Sequence, residues 1–542
     1  MWDERLEERW RQLCAEAITG MAEWRMHHPK ATLSEMEGAL DQRLGNVRAR
    51  MLEDTAMASH ATDLRTTPPA DCPLCPQCGA RLRHRTWEER SLSTHHGQTI
   101  RLSRSYAVCP ACGETFFPLD EELGLLPGSL TPDLLRHVAR LGARMPFTDV
   151  TEELHDLVGA DISEPTARRH GQAAGAAYVA LQTTETDAIQ EKMPPPPPGP
   201  DLQQVSADGA MIPLVHREWG EVRTVAIGVV EKPVMEKGEP VVHTREVSYF
   251  SRLCDAETFT RLALVETHRR GTETAQKVCG VVDGAGWEQS FLDMHCPNAV
   301  RILDFSHAAG YLASAAQAAY GEGTADAQIW YEAERHRLRH ETPEVVLDAV
   351  RRLRDETAGQ GNGRTAAVAT ITGSLAYLEK RTEQMRYAQF AEAGYPIGSG
   401  MVESGNKLVV EARLKGAGMH WARANVDPML GLRTIACSGR WEEAWPQICR
   451  QMCERRQEQS RERRRKRQEV CAEAAAHLLS GAAAPDVPLQ ADVAATQQPA
   501  RQKTMTLSDA PSRRPAADHP WRRSLFPRRG ARSADHSIQQ ET

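Results

Sequence analysis

No run of eighteen apolar residues occurs among the 542, so no segment is long enough to read as a membrane-spanning helix. The opening residues, Met1-Trp2-Asp3-Glu4-Arg5, lack the apolar stretch of a secretory signal and read as the start of a charged helix. A secretory cysteine pattern is missing too. Of thirteen cysteines, Cys72, Cys75, Cys78, Cys109 and Cys112 cluster and the others scatter, as in a reduced cytoplasmic protein. Basic excess is also absent: the net charge of −7 argues at first sight against a nucleic-acid partner. The distribution says more than the sum. Residues 455–467 hold eight Arg or Lys against Glu458 and Glu462, and 513–532 add Arg513, Arg514, Arg522, Arg523, Arg528, Arg529 and Arg532.

What is present begins with helices over 1–66. Thr32-Leu33-Ser34-Glu35 is a capping box, and Met36, Leu40, Leu44, Val47 and Met51 recur at helical spacing. This arm reads as packing or dimerising material.

Residues 67–126 carry two matching knuckles, Cys75-Pro76-Gln77-Cys78-Gly79 and Cys109-Pro110-Ala111-Cys112-Gly113. Strands from Arg83 to Thr94 and Ile100 to Ala107 join them around His96-Gly97-Gln98. That is a zinc-ribbon pattern: four thiolates complete tetrahedral zinc, so the site is structural. Unligated thiols or a redox pair are the competing readings. Cys72 lies outside the repeat.

Residues 127–193 read as a helix-turn-helix region. Thr131-Pro132 starts a helix, Thr148 caps a second, Gly159-Ala160-Asp161-Ile162 turns the chain, and Ser163 caps a third bearing Arg168, Arg169 and Gln172. An ordinary helical hairpin with a basic face is the plainer alternative. Pro194–Pro198 and Gly199-Pro200 form a stiff linker over 194–200 and the sharpest expected domain boundary.

From 201 strands take over: 202–208, 222–230, 241–250 and 277–283, with Asp255 capping an intervening helix and a further strand at 299–303. Asp208 and Asp283 each end an apolar strand before glycine. Helices over about 305–392 look like an insertion. Gly398-Ser399-Gly400 then leads into a helix from Met401 to Lys415 that bears Glu403. An RNase H-like core places carboxylates in this order. Asp208, Asp283 and Glu403 are therefore read as one Mg²⁺ (or Mn²⁺) site for phosphoryl transfer on DNA. Two ions about 3.5–4 Å apart would activate the nucleophile and stabilise the leaving oxygen, with Asp208 bridging them. Singly each acid is weak evidence, since Asp before Gly is usually a turn residue. Glu411 is a rival third acid. Lys407, Arg413 and Lys415 are expected to meet the DNA backbone. Trp421, Trp441 and Trp445 are expected to close the fold, and 451–542 to form a basic, largely disordered tail.

The ordered motifs resemble the ISKra type of bacterial insertion-sequence transposases, in the Mutator-like DDE group. They are the paired knuckles, Ala207-Asp208-Gly209-Ala210, Val282-Asp283-Gly284-Ala285-Gly286-Trp287, Ile302-Leu303-Asp304-Phe305-Ser306-His307-Ala308, Pro396-Ile397-Gly398-Ser399-Gly400-Met401-Val402-Glu403-Ser404, and Arg413-Leu414-Lys415-Gly416-Ala417-Gly418-Met419-His420-Trp421. They span roughly residues 30–450. The resemblance implies a DDE triad of Asp208, Asp283 and Glu403, with Asp304 and His307 matching a D-x-x-H signature between the second Asp and the Glu. Those two residues either serve the site or form a helix N-cap with a packed His.

The chain is thus expected to be a multidomain α+β protein: zinc-ribbon and helix-turn-helix modules, then an RNase H-like α/β catalytic domain at 201–450 with an all-helical insertion. The expected activity is binding terminal inverted repeats and metal-dependent cleavage and strand transfer. Double-stranded DNA, at the ends and at the target, is the expected partner. A homo-oligomer on paired ends is expected, in the bacterial cytoplasm and away from membranes. Two other functions fit the same residues: a DNA-binding regulator derived from a transposase, and a structure-specific nuclease.

Overall fold

A computed structural model describes residues 4–236 and 239–479. It is a mixed α+β protein, compact up to Arg467. Two helices open it, α1 (Glu4–His27) and α2 (Leu33–Met57). The Thr32 capping box is formed: Glu35 N donates to Thr32 Oγ1 at 3.3 Å and Thr32 N to Glu35 Oε2 at 2.7 Å.

A three-stranded antiparallel sheet follows: β1 (Arg83–Ser93), β2 (Thr99–Val108) and β3 (Thr115–Phe116). His96 and Gly97 take positive φ (56° and 65°) in the turn between the two long strands. A short helix α3 (Pro118–Glu122) leads to α4 (Pro132–Gly142), α5 (Phe147–Val158) and α6 (Glu164–Lys192). Pro132 sits at the start of α4, where no N–H is missed. The start of α5 falls at Phe147, so Thr148 is inside the helix and caps nothing. Ser163 stands at the N-cap of α6 without a side-chain cap bond.

Five strands form the central sheet: β4 (Leu202–Pro213), β5 (Trp219–Val230), β8 (Thr244–Arg252), β9 (Lys277–Val282) and β10 (Val300–Leu303). A small hairpin, β6 (Val234–Glu236) and β7 (Glu239–Val241), stands outside it. The order is β10-β9-β4-β5-β8. β4, β5 and β8 run antiparallel, whereas β9 and β10 lie parallel to β4. Helices α7 (Ala256–Leu262), α8 (Leu264–Arg269) and α9 (Gly286–His295) join these strands. Asp255 caps α7 by accepting from Thr258 N at 2.9 Å, as its sequence position implies. Val205 and Ala207 pack with Phe250, Phe259 and Phe291 on one face, so strand alternation turns Ser206 and Asp208 to the other.

Four helices then form a lobe: α10 (Phe305–Tyr320), α11 (Ala325–His340), α12 (Pro343–Gly359) and α13 (Thr365–Glu379). A 3₁₀ turn separates them from the short α14 (Tyr387–Glu392). The segment after the glycine-rich loop is α15 (Gly400–Gly405), a π-helical stretch Asn406–Glu411, and α16 (Ala412–Leu414). Helices α17 (Arg423–Cys437) and α18 (Trp441–Leu479) complete the described residues. Among the described residues no helix is long and apolar enough to cross a membrane.

Two expected boundaries dissolve. The Pro194–Pro200 stretch is extended but pinned. Its carbonyls, which need no local N–H, accept from Thr274 Oγ1 (to Pro197 O) and Gln276 N (to Pro200 O, 3.1 Å). A Cβ on Gly199 would lie 2.3 Å from Gly271 O. α6 likewise packs into the same apolar core as β4, α17 and the start of α18. It approaches so closely that a Cβ on Gly175 would meet Pro428 O at 2.0 Å. The three tryptophans Trp421, Trp441 and Trp445 are buried in that core. The second boundary, at 450, falls inside α18. The Arg-rich stretch 513–532 lies outside the described residues.

Candidate functional site

The four knuckle cysteines converge. Each knuckle is the same backbone turn: Gly79 N and Gly113 N donate back to Cys75 O and Cys109 O, both at 2.9 Å. Both glycines sit at φ near 70° (69° and 71°), a conformation that disfavours a side chain. The turns face each other, with Cys75 Sγ 3.6 Å from Cys112 Sγ and Cys78 Sγ 3.4 Å from Cys109 Sγ. The cluster can hold a metal ion such as zinc, and Cys72 is not part of it. Backbone N–H groups of Cys112 and Ala111 push the Cys109 thiol down to about 6, whereas Cys78 and Cys112 are pushed up: the four thiols share protons, and only one is a ready thiolate without a metal.

The acidic residues meet at the sheet. Asp208 lies mid-strand, opposite Thr224, and not at a strand end. Gly209 does not break β4. It leaves space for the Glu221 side chain of the neighbouring strand, since a Cβ there would lie 2.5 Å from Glu221 Oε1. Asp208 accepts from Gly209 N at 2.6 Å and from Asn406 Nδ2 at 2.8 Å. Asp283 follows the last residue of β9, as expected, and Gly284 turns the chain at φ 84°. The helical lobe grips this turn. Tyr377 Oη donates to Asp283 O, Arg381 donates to Gly284 O at 2.6 Å, and the Arg381 guanidinium stacks 3.6 Å over the Tyr377 ring.

Glu403, exposed on α15, accepts from Ser399 Oγ at 3.1 Å. Its loop is tied to the sheet through Gln204 Nε2, which donates to Gly398 O at 3.2 Å. The rival Glu411 instead pairs with Lys415 at 2.8 Å. Asp304 is a buried N-cap: its carboxylate accepts from His307 N at 2.6 Å and from Ser399 N at 2.7 Å. It thereby locks the start of α10 to the Glu403 loop. His307 Nδ1 lies 3.6 Å from Asp283 Oδ2.

Burial raises the proton affinity of Asp208, and Glu403 adds to the rise. Burial lifts Asp283 to about 6, with Asp208, Asp304 and Glu403 reinforcing it and His307 opposing. Glu288, which sequence reasoning missed, rises to about 8, chiefly through burial and then through Asp283. It accepts from Ala285 N at 3.0 Å at the head of α9. Its only sequence signal is a position three residues into a helix that begins beside Asp283. Asn406 was also missed; its Oδ1 is buried without a hydrogen-bond partner. Such a pool of mutually repelling, half-buried carboxylates with an orphaned carbonyl oxygen suits a hard cation, which would discharge it. The three acids do not converge as tightly as the cysteines do: they are not among the groups whose ligand atoms lie within 4.8 Å of one another.

Glu288 gives a pH test. A carboxyl whose folded affinity is raised costs stability as pH climbs from its unfolded value, about 4.3, toward 8. Glu288→Gln keeps the cap oxygen and removes the charge. It should stabilise the fold by on the order of 2–4 kcal/mol at pH 8 without added divalent ions. At pH 4.5 it should change little. Equal denaturation midpoints at pH 8 would refute the electrostatic account.

The expected DNA contacts divide. Arg168 and Arg169 are exposed, Gln172 is half-buried, and Lys407 and Lys415 are exposed. Arg413 is not at the surface: it is buried, donates to Gly142 O at 3.0 Å and sits 5.2 Å from the ring centres of both Phe147 and Trp421. Burial lowers its affinity for the proton to about 10. At least five of the eight Arg and Lys in 455–467 are also engaged, Arg455 with Ala176 O and Lys466 with Glu462 among them. Arg456 faces Asp120 at 3.7 Å, Arg461 pairs with Glu114 at 3.2 Å and Arg464 with Glu114 at 3.4 Å. These pairs dock α18 on the cysteine-bearing sheet. No protein-family model matches the chain, and no curated protein matches it.

Proposed function

We propose that the chain is a DDE transposase of the ISKra type that cleaves the ends of an insertion sequence and joins them to target DNA. The observation that carries this reading is the placement of three acids. Asp208 sits at the middle of the central strand and Asp283 at the end of its parallel neighbour. Glu403 comes from the helix beyond the lobe, and it is close enough to add to the raised proton affinity of Asp208 and Asp283. The strand order supports an RNase H-like core: three antiparallel strands in succession, then two parallel strands beside the first.

Asp208, Asp283 and Glu403 would hold Mg²⁺ or Mn²⁺, which supplies a Lewis acid for the attacking and leaving oxygens. The chain's own groups prepare the site. Asn406 orients Asp208, Tyr377 and Arg381 fix the turn after β9, and Asp304 fixes the loop before Glu403. The four cysteines take zinc as a ribbon, and α4–α6 serve as the helix-turn-helix reader of the ends. In this reading α6, with Arg168 and Arg169, is the recognition helix, though at 29 residues it is long for one.

Metal-dependent nicking of a labelled duplex carrying the flanking ends, by the purified chain, tests the proposal. A nuclease would cut without regard to the repeat, and a regulator would bind without cutting. Non-specific affinity should come partly from the exposed Arg463 and Arg467 of α18. Changing both to Gln should reduce the slope of log K against log salt by roughly 1–2, at about 0.9 for each phosphate no longer neutralised. An unchanged slope would remove this face from the interface.

A further inference from the structure

A second convergent group lies away from the carboxylates. His95, Asp133 and His137 each offer one ligand atom, and the three atoms fall within 4.8 Å of one another. His95 Nε2 is 3.3 Å from Asp133 Oδ2, and His137 Nε2 is 3.8 Å from the same oxygen. Asp133 and His137 are one turn apart on α4, so they share a face. His95 comes from the turn between β1 and β2. His95 Nε2 is sealed from solvent and has no hydrogen-bond partner.

The backbone builds this meeting. Ser93 N donates to Ser129 O at 2.8 Å and Thr131 N donates to Ser93 O at 3.0 Å, which lays the strand end beside the start of α4. His96 N donates to Val158 O at 2.8 Å, and glycines at 45 and 159 let α2 and the end of α5 close on His96. The turn is thus held on three sides, and His95 is presented to α4. A nearby cation, Arg48, donates to Thr94 Oγ1 at 3.1 Å.

We propose that His95, Asp133 and His137 bind a divalent transition ion of the zinc class, with a position left to water. Two imidazoles and one carboxylate favour such an ion over Mg²⁺ or Ca²⁺. Asp133 and His137 are partly exposed, at 55% and 36% of their side-chain surface, so the ion has an entry path. Bound there, it ties the turn of the cysteine-bearing sheet to α4. The site stands on these residues alone and does not depend on the transposase reading.

The test uses the full chain as purified, with zinc at the cysteines and Asp208→Asn to disable the carboxylate site, titrated with Co²⁺ at micromolar concentration in excess Mg²⁺; this background protein is the wild type of the comparison. Total zinc plus cobalt is then counted after removal of free metal. The wild type should hold two ions per chain and His137→Ala one. The cobalt at this site should show weak d–d bands without sulfur charge-transfer absorption. Asp133→Asn should weaken the second ion at least tenfold, and retained zinc at the cysteines reports that either variant is folded. One ion in the wild type, two in His137→Ala, or a second ion with thiolate bands would each overturn the proposal.

Discussion

Asp208→Asn is expected to lower end cleavage and strand transfer by about 10³-fold or more, the several kcal/mol that a metal-holding carboxylate contributes to the transition state. Binding to the ends should be unchanged within about twofold, as expected when only a transition-state interaction is removed. The substitution is nearly isosteric, so the strand should persist. Asp208 sits mid-strand between Ala207, packed in the apolar core, and Gly209, packed against Glu221. Among the described residues its carboxylate accepts from Gly209 N and Asn406 Nδ2, so an amide loses charge and little packing. Quantified cleavage beside a binding isotherm for each protein provides the check. Cleavage within tenfold of wild type would remove Asp208 from the mechanism.

The second large effect concerns the cysteines. Cys78→Ser, or zinc removal by a chelator, should unfold the knuckle end of the β1–β3 sheet. The apolar cluster there is small: Cys75, Leu82, Ala107 and Cys109, with Leu64, Ala80 and Phe116 beside it. A structural zinc contributes about 10–16 kcal/mol of apparent binding energy in small domains, far more than that cluster can. The effect should spread, because Arg461 and Arg464 of α18 dock on Glu114, just after the second knuckle. New cleavage by a protease within 67–126 and weaker binding to the ends are the expected results. An unchanged digestion pattern with unchanged binding would contradict a structural metal.

Much of the core could be read from residue patterns. The repeated knuckles name their own ligands, because only four of the five clustered cysteines complete the pattern. The strand succession around Asp255 is legible because alternation, a cap and glycine turns agree locally. Gly398-Ser399-Gly400 leads the chain to Glu403, and Ser399 at its centre donates to that carboxylate. What stayed hidden depends on partners distant in sequence. Arg413 looks like a surface cation until Phe147 and Trp421 fold around it. Gly209 looks like a strand breaker until Glu221 occupies the space beside it. Pro194–Pro200 looks like a stiff linker between domains until Thr274 and Gln276 donate to its carbonyls. Glu288 and the His95–Asp133–His137 group have no motif, since their chemistry arises from burial and from two elements meeting.

The central claim is that Glu403 completes the acid triad. The most direct measurement compares wild type with Glu403→Gln on labelled DNA carrying the element's ends, with Mg²⁺ or Mn²⁺ added and withheld. Glu403 is exposed and held by one side-chain hydrogen bond, so the variant should fold and bind as wild type does. The account predicts metal-dependent nicks at the ends with wild type and none with Glu403→Gln. Equal nicking by both proteins would contradict it, as would binding without nicks by either.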